Sequence, residues 1–291
     1  MLDHVAHFVD DLEAARATLE ALGFVVTPRS DQTLRDAAGN TAPAGSSNRC
    51  VMLEAGYLEI LSPTADTPNA LRLREAMARY RGVHILALGT PDAEFEFAQL
   101  ARHGFAPLET VNLERDIGTA DGGVLRARFS VQRVPPERMP EGRVQFCEQK
   151  TPEALWQPRW LDHANGVSGL AAVFVCVADP VAAAARYAEF ASALPAPAGR
   201  FVRIDTSRGT LFIGDRASCA GLLGEAPAAP ALAGYALACR DPAGLAARLE
   251  AQGCASARFG ELWRAALPAA LGSAWVFGTA DALAAELPRD A

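Results

Sequence analysis

One short pattern recurs four times along this chain, and it limits the fold more than any other feature. Residues 2–9 (LDHVAHFV) read as an apolar strand, and Asp11 offers a helix N-cap. Leu12, Ala15, Leu19 and Leu22 then follow at helical spacing, and Gly23 ends the helix. Phe24, Val25 and Val26 read as the next strand. The order returns with a strand over Val83–Leu88, a cap at Thr90 or Asp92, a helix over Ala93–His103 and a stop at Gly104. "LGF" at 22–24 is echoed by "HGF" at 103–105, so the two glycine stops stand 81 residues apart. A third copy runs from LAAVFVCV at 170–177 through Asp179-Pro180 into a helix over Val181–Phe190. A fourth begins at 234 with YALAC, repeats the Asp241-Pro242 start and closes at Gly253. Strand-like segments follow these helices at 200–206, 210–214, 258–263 and 273–278.

A strand–helix–strands unit cannot cover both faces of its own sheet. The helix covers one face, and the other curves against a partner unit and encloses a cleft. Four copies therefore predict an α+β fold of tandem βαβββ modules, paired into two domains whose curved mixed sheets form clefts. The boundaries predicted are 1–155 for the first pair, 156–167 for a linker and 168–291 for a second, degenerate pair. A chain of 291 residues suits two compact domains. Two insertions stand out. The turn-rich segment 29–47 reads as a loop, and the Arg-containing stretch within 62–81 as helical. A Pro/Ala-rich connection lies at 221–233.

The formal net charge of −7 disfavours phosphate backbones and anionic lipid as partners, so neither nucleic acid nor membrane is expected. Arg72, Arg74, Arg79 and Arg81 read as a solvated helix face. No apolar run approaches the about 20 residues of a membrane helix, and the N-terminus has neither a basic leader nor a small-residue cleavage site. The six cysteines have no CxxC pair and mostly lie in apolar runs. They read as free buried thiols of a reducing, cytoplasmic setting.

Side chains alternate along a strand. In the first strand Val5 and Val9 read as the helix side, which turns His4 to the cleft; His7 then packs beneath the helix. The same rule in the second copy puts Ile85 and Ala87 under the helix and His84 in the cleft. The last strands of the two copies, GYLEILSP and VQFCEQKTP, each place a glutamate four residues before a proline, Glu59 and Glu148. An unpaired buried carboxylate costs several kcal/mol, so a glutamate within YLEIL needs a partner. A dication balances two carboxylates and accepts two neutral imidazoles, which makes His4, Glu59, His84 and Glu148 a candidate metal set. Such ligands suit Zn, Ni, Fe, Co or Mn. Alternation turns Cys147 away from Glu148; a different register would bring Gln145 or Gln149 inward instead. Arg126, Arg128 and Gln132 share a predicted strand, one face of which lines the cleft. His103 reads as a helix-end cation and His163 as exposed, while the four tryptophans read as core or interface.

LDHVAHFVDDLEAARATLEALGF resembles the opening of glyoxalase I and its vicinal-oxygen-chelate relatives, and SNRCVMLEAGYLEIL resembles the end of the first module in glyoxalase-like domain proteins. The resemblance covers about residues 1–160. It implies metal ligands at His4, Glu59, His84 and Glu148, and a small-molecule substrate contacted by Asn48 and Arg49; the cleft-lining strand adds Arg128 as a further substrate contact. Glu148 or Glu59 would serve as the catalytic base. Copies three and four depart from the pattern, with Ala172 and Gly234 at the histidine positions. Three functions follow from the resemblance. The first is a divalent-metal-dependent lyase or isomerase on a small oxygen-bearing substrate. The second is an extradiol-type Fe(II) dioxygenase built on two histidines and one carboxylate. The third is a metal-free binding protein of the bleomycin-resistance type. Pairing of modules across chains leaves a homodimer open.

Overall fold

A computed structural model describes residues 1–35 and 40–288 of the chain. The first module comprises β1 (Leu2–Phe8), α1 (Leu12–Ala21), β2 (Ser30–Arg35), β3 (Thr41–Met52) and β4 (Tyr57–Pro63). Helix α2 (Pro68–Arg79) leads to the second module: β5 (Gly82–Gly89), α3 (Ala93–Arg102), β6 (Val111–Gly118), β7 (Val124–Arg133) and β8 (Arg143–Gln149). A short helix α4 (Pro152–Leu155) and a 3₁₀ turn at Pro158–Trp160 then connect the halves. The third module runs β9 (Val167–Cys176), α5 (Pro180–Phe190), β10 (Pro195–Ala198), β11 (Phe201–Asp205) and β12 (Thr210–Gly214). After α6 (Arg216–Leu223) come β13 (Ala231–Cys239), α7 (Pro242–Ala251), β14 (Ser256–Phe259), β15 (Leu262–Ala266), β16 (Ala274–Gly278) and α8 (Ala280–Glu286).

The four helix starts are set by the aspartates that mark them in the sequence. Asp11, Asp92 and Asp179 each accept two backbone N–H groups of the first turn, and Asp241 accepts one. Two eight-stranded sheets result. Their orders are β2-β3-β4-β1-β5-β8-β7-β6 and β10-β11-β12-β9-β13-β16-β15-β14, the same pattern twice. Within each, the first strands of two modules pair antiparallel at the centre, and each pairs in parallel with the last strand of its own module. This is the paired βαβββ arrangement that the repeat predicts.

The segment 29–47 is not the loop that its composition suggests. Its described residues form the β2–β3 hairpin, with Ser30 opposite Asn48 and Arg35 opposite Thr41. Ser, Asn and Gly are poor strand formers, but here Ser46, Ser47 and Asn48 are buried and hydrogen-bonded, so tertiary context overrides propensity. Residues 24–26 form no strand. Phe24 packs edge-on against Trp275, and the Val25 N–H donates to His163 Nδ1 at 3.0 Å. His163 is therefore buried rather than exposed, its Nε2 bonding the Met52 carbonyl at 2.8 Å.

The two sheets bury their helix-bearing faces in one shared core. Val5, Val9, Leu12, Leu19 and Leu58 belong to the same apolar cluster as Val173, Tyr187, Tyr235 and Trp275. The opposite face of each sheet forms its own cleft. That of the second sheet is filled by Cys219 and Leu223 of α6 and Leu283 of α8, together with Phe174, Phe212 and Val276. The cleft of the first sheet is only partly lined by apolar groups and holds the polar residues described next.

Candidate functional site

A β-bulge at the start of β1 brings consecutive residues to one side. The register shifts between Leu2 and His4, and the Asp3 Oδ2–His4 Nδ1 contact measures 2.7 Å with both side chains buried. The His4 ring stacks on Tyr57 of the neighbouring β4, centroids 4.4 Å apart. Cys147 of β8 completes the group: Asp3, His4 and Cys147 each offer a ligand atom, all within 4.8 Å of one another. Gln149 Nε2 donates to Asp3 Oδ2 at 3.1 Å and to Cys147 Sγ at 3.3 Å. Burial pushes the Cys147 thiol well up, and the neighbouring Asp3, Glu59 and Glu148 add to this.

Glu59 lies two residues along β4, 8 % exposed. Its Oε1 accepts from Asn48 Nδ2 at 2.5 Å and from Gln32 Nε2 at 3.3 Å. Asn48 in turn accepts from Arg115 at 2.7 Å, and Ser46 donates to Gln32 at 2.7 Å. Both bonds fall on Oε1, and Oε2 has no hydrogen-bond partner among the described residues. His4 is alike: Nδ1 is held by Asp3 and Nε2 has no hydrogen-bond partner among the described residues. Both residues line one cavity of about 80 Å³ together with Tyr57, Gln145, Cys147 and Arg143.

The expected four-ligand set does not form as predicted. Among the described residues, the single group of three or more close ligand side chains is Asp3, His4 and Cys147. In β5 it is Ile85 and Ala87 that face the cleft, clustered with Ala6, Leu61 and Cys147, whereas Leu86 and Leu88 join the shared core. This reverses the predicted faces. A bulge between the Ala6–Ile85 and His7–Val83 pairs leaves His84 out of the ladder. Its ring is sandwiched between Phe8 and Tyr80, and its Nε2 bonds the Tyr80 carbonyl at 2.9 Å. Burial lowers its pKa to about 4, which keeps the imidazole neutral. In β8 Gln145 and Cys147 face the cleft, and Val144 and Phe146 the shared core. Glu148 points toward α3, where its Oε2 accepts the Ala93 N–H at 3.2 Å near the helix N-terminus.

The repeat offset explains the discrepancy. The caps Asp11 and Asp92 stand 81 residues apart, which makes Ile85 the counterpart of His4. Glu59 pairs with Ala6, and Gln145 pairs with Ala87, so the counterpart of Glu59 is Gln145. The second module thus presents isoleucine and glutamine where the first presents histidine and glutamate.

Of the predicted substrate contacts, Asn48 lies in the network on Glu59. Arg49 turns to the helix side, its guanidinium on Glu13 at 2.5 Å and on the Thr27 carbonyl at 3.0 Å. Arg128 is largely exposed, 3.8 Å from Glu114, and lines none of the cavities. Sequence reasoning missed Asp3, Tyr57, Gln32, Arg115, Arg133 and Arg143. A charged residue amid an apolar strand was the available signal for Arg143 in GRVQF, the same signal that singled out Glu59.

A buried carboxylate, imidazole and thiol fit a borderline divalent ion, since displacing the thiol proton supplies a soft ligand. An ion on His4 Nε2 would equally leave Asp3 to orient the ring through Nδ1.

Paired βαβββ modules around a polar cleft define a vicinal-oxygen-chelate protein. The model of the glyoxalase-like domain family matches residues 2–191, and the chain belongs to that family. A hypothetical protein from Staphylococcus aureus has the same fold, with a TM-score of 0.65 at 11 % identity over 96 % of this chain and 98 % of that one. A mutant 4-hydroxymandelate synthase from Streptomyces coelicolor follows with 0.55 at 15 % identity, over 96 % and 93 %. An Mn(II)-bound glyoxalase from Novosphingobium aromaticivorans gives 0.51 at 11 %, over 96 % and 81 %. No curated protein matches the sequence. Among the described residues no helix is long and apolar enough to cross a membrane.

Proposed function

We propose that this chain is a divalent-metal-dependent lyase or isomerase acting on a small oxygen-bearing molecule in the cleft of the first sheet. One observation carries the reading: His4 and Glu59 each have one polar atom fastened to protein, and both line the same cavity. Asp3, His4 and Cys147 would hold the ion. Bound there, a divalent ion polarises a substrate oxygen and stabilises charge developing on it. Glu59 is the base. Asn48 and Gln32 fix its Oε1, so that Oε2 takes a proton from carbon beside a carbonyl and returns it without the side chain reorienting. Tyr57 stacks on His4 and keeps water from one face of the imidazole. The setting we infer is cytoplasmic, where the free cysteines remain reduced.

Two rival readings are weaker. A metal-free binding protein would be served by the Glu59 network, with its protein donors on one oxygen, but it leaves the gathered ligand atoms of Asp3, His4 and Cys147 without a role. An extradiol-type iron site requires a second imidazole at the cleft, and the one other candidate, His84, is held by Tyr80.

Metal content measured by mass spectrometry on untagged protein tests the proposal. The wild type, His84→Ala and Glu148→Gln are expected to retain about one equivalent, whereas His4→Ala and Cys147→Ser lose it. Wild-type protein below about a tenth of an equivalent, or full retention in the last two variants, overturns it.

A further inference from the structure

The strongest unused feature lies where α2, β5, β7 and β8 meet, at a cavity of about 680 Å³ that shares Arg133 and Arg143 with the inner cavity. Neither guanidinium has an ion pair or hydrogen bond among the described residues. Arg143 lies over the Phe8 ring at 5.9 Å, and Arg133 has a buried Nε without a partner. Arg72, on the exposed face of α2, lines the same cavity and is also unpaired. Burial lowers the Arg143 pKa to about 10. Arg133 lowers it further, ahead of the opposing attraction of Glu59, and Arg72 adds to the repulsion. Arg133 likewise is lowered by burial and then by Arg72. The acids lining this cavity, Glu75 and Glu137, are exposed and form no ion pair with these three arginines.

Part-buried like charges without an ion-pair partner are costly to keep, and a ligand that supplies the missing charge offsets that cost. We propose that Arg133 and Arg143, with Arg72 at the rim, bind an anionic group, a carboxylate or phosphate, of the small molecule that occupies the cleft. Guanidinium forks match both groups in bidentate fashion. The two shared arginines then connect the anion to the cavity of His4 and Glu59, so the reacting carbon lies toward Glu59 and the charged end toward α2. The inference uses the cleft as the substrate site but not the metal.

The test titrates inorganic phosphate and, separately, acetate into full-length wild type, Arg143→Met, Arg133→Met and Arg72→Met at constant ionic strength held with chloride, and follows Tm. In the wild type Tm rises with saturation for at least one of the two anions, and the preferred anion identifies the group. The rise is absent in Arg143→Met and Arg133→Met and reduced in Arg72→Met. In chloride alone, without phosphate or acetate, removing either part-buried charge leaves Tm equal to or above wild type, by up to ~4 °C, which a merely structural arginine would not do. No saturable rise with either anion, or a lower Tm in both the Arg143→Met and Arg133→Met variants in chloride alone, overturns the proposal. Metal content stays unchanged in all three variants, so this outcome separates from failure of the metal site.

Discussion

At the level of single residues, Asn48 links the buried Glu59 to the part-buried Arg115. Its amide donates to Glu59 and its oxygen accepts from Arg115. Asn48→Ala removes a hydrogen bond from each, leaving Glu59 with Gln32 alone and Arg115 with the Cys50 sulfur, and losing hydrogen bonds to charged groups costs roughly 2–3 kcal/mol. The expected result is an unfolding free energy in urea lower by that amount with an unchanged m-value; a loss below about 0.5 kcal/mol would mean that the pair is solvated instead. His7 gives a pH signature of a different kind. It is fully buried, bonds the Leu271 carbonyl at 3.0 Å and the Tyr235 hydroxyl at 2.8 Å, and burial lowers its pKa from 6.5 to about 4. The unfolded chain therefore binds a proton that the native state refuses. Stability is undiminished above about pH 6.5 and declines as pH falls toward 4, by about 3 kcal/mol in the limit. His84 adds to the fall in the same direction. Urea unfolding at pH 7 and pH 4.5 is expected to show a smaller pH dependence for His7→Leu than for wild type, whatever its absolute stability. Parallel curves for the two proteins would contradict this.

At the level of elements, the aspartate caps and glycine stops of the repeat were readable because they act through local backbone chemistry. The apolar alternation of β1 also gave the right face for His4. The errors arose where the ladder breaks. A bulge moved Asp3 onto the side of His4, and another lifted His84 out of register. Period-two reasoning counts residues evenly and has no term for an inserted one. In β8 the glutamate echo of Glu59 in Glu148 outweighed alternation, although Gln145 was the residue two strand positions before Cys147 on the cleft face. The β2–β3 hairpin was missed because its polar residues satisfy one another rather than an apolar core. Gly56 tests how tightly these elements hold the site. It sits at φ +86°, and a Cβ there would approach the Asp3 carbonyl to 2.8 Å. Gly56→Ala must therefore displace the strand that carries Asp3 and His4, at about 1–3 kcal/mol. The expected outcome is weakened metal retention together with the loss of stability, whereas an unperturbed metal content would show that the bulge is more pliant than its packing suggests.

For the whole molecule, the two sheets form a continuous unit. The strand β13 packs against β5 side of the first sheet through Tyr235, which bonds His7, and Ala55 bridges to Gly169. Tyr187, Phe190, Tyr235 and Trp275 are fully buried in the core that both sheets share. The repeat announced two module pairs but could not show that their helix-bearing faces meet, because apolar periodicity marks a face as buried without naming what covers it. Calorimetry should accordingly show one cooperative transition, with the calorimetric and van't Hoff enthalpies equal, and Trp275→Ala should lower the stability of both sheets together by about 3–5 kcal/mol. Two separate transitions would contradict a shared core. The second sheet, whose cleft is filled by α6 and α8, then backs β1 and β5 from behind, while the first sheet carries the candidate site.

The central claim, that the cleft of the first sheet holds an ion through Asp3, His4 and Cys147, is tested most directly by X-ray absorption on zinc-loaded protein. The expected spectrum has one sulfur scatterer at about 2.3 Å beside nitrogen and oxygen at about 2.0–2.2 Å, the sulfur vanishing in Cys147→Ser. A shell of nitrogen and oxygen alone in the wild type would contradict it.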